Sequence, residues 1–101
     1  MANYVLSYDP LMTSPPSSTL RQYIKDSRDI DSWHSPWLGL YLIKSDKTPF
    51  ELQESLRGLF NDSMFFLALA QKNATGGFMS QIIWQWFNDG TLPALPDWST
   101  R

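Results

Sequence analysis

The chain contains no cysteine, a single histidine and few charges. Without cysteine there is no disulfide framework, no thiolate metal site and no thiol nucleophile. Charged residues make up 18% of the sequence, below the average of about 25% for a soluble domain. Acids outnumber bases 10 to 8, giving a net charge of -2 and a pI near 5.1. That balance argues against a dedicated binder of duplex DNA, which presents a basic face. No Lys or Arg occurs from residue 73 to residue 100. No apolar run approaches the ~18 residues of a membrane span, so no membrane partner is expected. The opening residues lack the basic stretch that begins a secretory signal. With the absence of cysteine, this leads us to expect a cytoplasmic protein.

What the chain has is aromatic surface: five Trp, six Phe and four Tyr in 101 residues. Disordered chains are poor in aromatics and high in net charge, so disorder is excluded for most of the length. The length fits one domain. We place that domain at residues 1–90, followed by an irregular tail at 91–101 that contains Pro93, Pro96 and Trp98.

Periodicity supplies the elements. Residues 3–9 read as a strand with Tyr4, Leu6 and Tyr8 on one face. Ser17 or Ser18 is the expected N-cap of a helix over 18–27, whose stripe is Leu20, Tyr23 and Ile24. Residues 30–35 suggest a short strand ended by Pro36. Residues 37–44 suggest a stronger strand, apolar on both faces. Thr48, Pro49 and Glu51 form a capping box with proline at the first helical position. The helix they open carries the stripe Leu52, Leu56, Leu59 and Phe60. Gly58 interrupts it, and a close approach to the sheet would explain a glycine there. The run from Met64 to Ala70 reads as a strand buried on both faces. A last short helix over 80–89 carries Ile82, Ile83, Trp84, Trp86 and Phe87.

This order, strand–helix–strand–strand–helix–strand, is α+β. It predicts a ferredoxin-like βαββαβ fold, with one sheet, helices on one face and a short C-terminal helix. The opposite face, expected to present Tyr41, Ile43 and half of residues 64–70, needs a second cover. Either the terminal helix or a second copy of the chain would supply it.

Tyr4-Val-Leu-Ser-Tyr-Asp9, the Trp33 and Trp37 pair, and the segment Ser45-Asp-Lys-Thr-Pro-Phe-Glu-Leu-Gln-Glu-Ser-Leu56 resemble the SinR-like family of small bacterial proteins. That family is similar in fold to the small CRISPR-associated integrase subunit and to VapD-type toxins. The resemblance covers about residues 1–88. It implies a ferredoxin-like homodimer linked to a bacterial defence or toxin–antitoxin system. It also implies one chemical candidate, Asp9, which in the nuclease relatives would hold Mg²⁺ with its counterpart across a dimer. Those relatives carry an Arg soon after that Asp. Here residues 10–16 are Pro-Leu-Met-Thr-Ser-Pro-Pro, with no base.

Each candidate has a structural reading beside the functional one. Asp9 before Pro10 also suits a turn. His34 could act as a general base, but beside Trp33 and Trp37 it also suits the packed interior, and a metal site there would need partners that the chain does not supply. Trp33, Trp37, Tyr41, Trp84, Trp86 and Trp98 are the candidate binding residues. Trp84 and Trp86, two apart on a helix, cannot both face one core, so at least one is exposed or lies in an interface. A base-stacking platform would interleave Lys and Arg with its aromatics. Their absence favours protein contact over nucleic acid. The sequence therefore leads to a small non-enzymatic interaction protein, homodimeric and without a cofactor. The alternative is a Mg²⁺-dependent nuclease using Asp9.

Overall fold

A computed structural model describes residues 2–13, 15–61, 63–71, 83 and 85–87. Six elements follow in order: β1 (Ala2–Tyr8), α1 (Ser17–Asp26), β2 (Ser32–Trp37), β3 (Leu40–Ser45), α2 (Pro49–Phe60) and β4 (Phe65–Ala70). The strands form one antiparallel sheet in the order β2-β3-β1-β4. This is the ferredoxin-like arrangement that the element order predicts.

Alternation along the strands sorts the side chains. Tyr4, Leu6 and Tyr8 of β1 join Tyr41 and Ile43 of β3 on the helix side, packed against Leu20 and Ile24 of α1 and Leu52, Leu56 and Phe60 of α2. Burying side chains of this size is worth roughly 1.5–3 kcal/mol each. The expected placement of Tyr41 and Ile43 on the opposite face is therefore wrong. The register pairs Tyr4 with Ile43 and Leu6 with Tyr41, and directly opposed residues share a face. Leu42 and Lys44 point the other way. Tyr23 reaches across the helix layer, its hydroxyl donating to the Ser55 carbonyl at 3.0 Å.

The capping box stands as read. Glu51 N–H donates to Thr48 Oγ1 at 3.2 Å, and Thr48 N–H donates to Glu51 Oε1 at 3.0 Å. Backbone and side-chain hydrogen bonds from Thr48 hold the Glu51 carboxyl below its ordinary pKa. Beside it, the Tyr4 hydroxyl donates to the Lys47 carbonyl at 2.6 Å. Burial, with Glu51 adding to it, pushes the Tyr4 phenol up.

Several expectations are corrected. The residue capping α1 is Pro16, with no side-chain hydrogen bond, rather than Ser17 or Ser18. Pro36 does not end β2. It lies within an edge strand where the register shifts between His34 and Trp37, and an edge or bulge is where a sheet tolerates proline. The apolar run 37–44 is not one strand, because Leu38 and Gly39 form the turn of a β2–β3 hairpin. A Cβ on Gly58 would meet nothing within 4 Å, so no close approach to the sheet explains that glycine. β4 is the strand at the edge, and is not buried on both faces: Phe66 is 65% and Leu69 49% exposed.

Candidate interaction surface

Asp9 follows β1 in a turn. Its Oδ1 accepts the Leu11 N–H at 2.9 Å, and its carbonyl accepts the Met12 N–H and the Thr13 hydroxyl at 3.1 and 2.7 Å. This is the Asx-turn geometry that Asp favours. The side chain is exposed. Among the described residues, no three His, Cys, Asp or Glu side chains gather in a way that could hold a metal ion.

The sheet face away from the helices has two halves. At one end Leu42, Val5 and Ala70 are packed against Ile83, Trp86 and Phe87. The Phe87 carbonyl there accepts from Lys44 Nζ and from Asn3 Nδ2, both at 3.0 Å. Lys44 Nζ also donates to Asn3 Oδ1 at 2.7 Å and stands 4.8 Å from the centre of the Trp86 ring, a cation–π contact. Trp86 Nε1 donates to Ser32 Oγ at 3.0 Å. His34 is buried with its ring 6.1 Å from that of Trp86. The cover expected over this face is thus supplied here by the C-terminal segment.

The other end of the same face is open. The pairing Trp37↔Leu40, Leu40↔Ser7 and Ser7↔Phe66 sets these four side chains in one row across all four strands. Trp37 is 56% exposed, and with Phe66 it brackets the half-buried Leu40 and the exposed Ser7. At the β4 end of the row a groove runs between the β1–α1 loop and β4, lined by Asp9, Met12, Met64 and Phe66 among others. Met12 and Met64 are 76% and 88% exposed. Exposed methionine and aromatic side chains that gather in this way mark adaptable contact surface.

The six aromatic candidates are therefore scattered. Trp37 lies on the open row. Trp33 is half-buried against the helix-side core, its ring 5.6 Å from that of Tyr41. Tyr41 is 1% exposed and is core. Trp86 is buried under the covered half. Trp84 and Trp98 lie outside the described residues. Sequence reasoning did not single out Met12, which lies in the loop after β1, and it read Met64 and Phe66 only as part of a run buried on both faces. The signal was available: in a βαββαβ sheet the last strand lies at the edge, where so apolar a run exceeds the burial that one neighbour can offer.

Comparison with protein-family models, with curated proteins and with solved structures gives no significant match for this chain.

Proposed function

We propose that this chain is a small non-enzymatic interaction protein that works as a homodimer. One observation carries the reading: large apolar side chains from three separate stretches, Met12, Trp37, and Met64 with Phe66, remain exposed at one end of the sheet, beside two cores that bury the inward-facing side chains of the strands and helices. Leaving them in water forgoes the free energy that burial would release, and such patches on small proteins serve contacts. The stretches that carry this patch, residues 7–13, 35–40 and 63–71, hold no Lys or Arg, which supports a protein partner over a nucleic acid. The defence or toxin–antitoxin setting belongs to this reading through the SinR-like resemblance alone.

Light scattering at micromolar concentration tests it. A mass of twice 11.7 kDa is expected, and 11.7 kDa would sink the homodimer. The nuclease alternative is tested separately. A robust Mg²⁺-dependent RNA cleavage that disappears in Asp9→Asn would replace the interaction reading with an enzymatic one.

A further inference from the structure

We infer that two copies of this chain join edge to edge through β4, antiparallel, making one continuous eight-stranded sheet. The inference rests on the homodimer reading and names its contact.

Sheet edges are normally guarded against self-pairing by charge, by proline or by a bulge. From Ser63 to Gln71 the described residues of this edge hold no charge and no proline, and the β1–β4 register runs without a bulge. Among the described residues, no strand lies beyond β4. An extended segment that added here would satisfy the outward backbone groups of β4.

A second copy fits this edge for three reasons. It brings an identical uncharged strand, so neither partner buries an ion. Met12, Met64, Phe66 and Leu69 together present on the order of 500 Å² of side-chain surface, comparable with the ~800 Å² per partner of a standard interface once the backbone ladder is added. The symmetry also works. An antiparallel pair of identical strands requires a twofold axis normal to the sheet, which leaves the helices of both copies on one side. Only registers in which residues of one face oppose each other are then allowed. Centred on Leu67, such a register sets Leu69 of each copy against Phe65 of the other, and Phe66 against Ala68. The same axis brings the two α2 helices side by side and antiparallel. Glu54 and Arg57, which line the groove between α2 and β4 and form an exposed pair at 3.8 Å, can then exchange partners across the axis.

The test uses the full chain with Phe66→Lys and Leu69→Lys together, and Leu38→Lys, an exposed apolar residue in the β2–β3 turn at the far edge of the sheet, as the control. Phe66 and Leu69 are exposed, so far-UV circular dichroism and the melting curve at low concentration should match wild type. Light scattering should show wild type and Leu38→Lys as dimers. The double variant should be a monomer, with a dissociation constant raised at least tenfold. In wild type, hydrogen exchange of the amides of residues 65–70 should slow as protein concentration rises; this readout does not depend on any variant folding. A dimer that survives the double lysine change, with concentration-independent exchange in β4, overturns the edge contact and leaves the homodimer standing. A wild-type monomer overturns both.

Discussion

The Gly39 carbonyl accepts the Tyr8 N–H at 3.0 Å, and a Cβ on Gly39 would lie only 2.9 Å from the Tyr8 carbonyl oxygen. Gly39 has φ +96°, a conformation that side chains disfavour. The hairpin turn between β2 and β3 is thus pressed against the end of β1. Gly39→Ala should cost about 1–3 kcal/mol, through backbone strain and the displaced β1 terminus. Thermal unfolding followed by circular dichroism checks this. An unchanged midpoint would mean that the turn can relax away from Tyr8.

Thr48 and Glu51 satisfy two otherwise orphan donors of α2. Thr48→Ala should therefore cost about 1 kcal/mol. For a domain of this length that is a drop in melting temperature of roughly 4–8 °C. Thr48→Ser, which keeps the hydroxyl, should stay close to wild type.

The same box predicts a pH dependence. Hydrogen bonds from Thr48 lower the pKa of Glu51 in the folded chain. The stabilisation that the carboxylate gives is fully present above the ordinary glutamate value of about 4.3 and is lost as pH falls through the lowered folded value. The difference in melting temperature between wild type and Glu51→Gln should favour wild type at pH 7. It should shrink steadily below about pH 4. A difference that does not change with pH would show that the charge is not what the box uses.

Gly58 is exposed within α2, with nothing for a Cβ to strike. Alanine there removes the helix penalty of glycine without a clash. Gly58→Ala should stabilise the fold by up to about 1 kcal/mol, seen as a raised melting temperature. A lowered one would reveal a contact at that position.

Local signals stated some of this protein outright. Thr48, Pro49 and Glu51 fix the start of α2 because a capping box closes within four residues of chain. The stripes Leu20, Ile24 and Leu52, Leu56, Phe60 fix which faces the helices bury, because helical spacing leaves no alternative. The alternation of Tyr4, Leu6 and Tyr8 fixes the inner face of β1. Together with the order of the elements, these were enough for the βαββαβ architecture.

What the sequence alone did not decide is where each apolar residue meets water. Leu40 and Leu42 read as equals of Tyr41 and Ile43, since a strand apolar on both faces does not say which face the helices take. That was settled by the pairing of Tyr4 with Ile43 and Leu6 with Tyr41. The run 37–44 read as one strand because propensity does not register the turn at Gly39, whose positive φ belongs to the β2–β3 hairpin and whose close approach to Tyr8 exists only in the folded sheet. Phe65 to Ala70 read as buried on both faces because burial at an edge depends on the neighbour that is missing, and local sequence carries no record of it. Lys44, a surface residue by type, is buried because the Phe87 carbonyl, Asn3 and the Trp86 ring receive its ammonium group. Asn3, Lys44 and the Trp86–Phe87 pair are far apart in the chain, so only the folded sheet could bring them together.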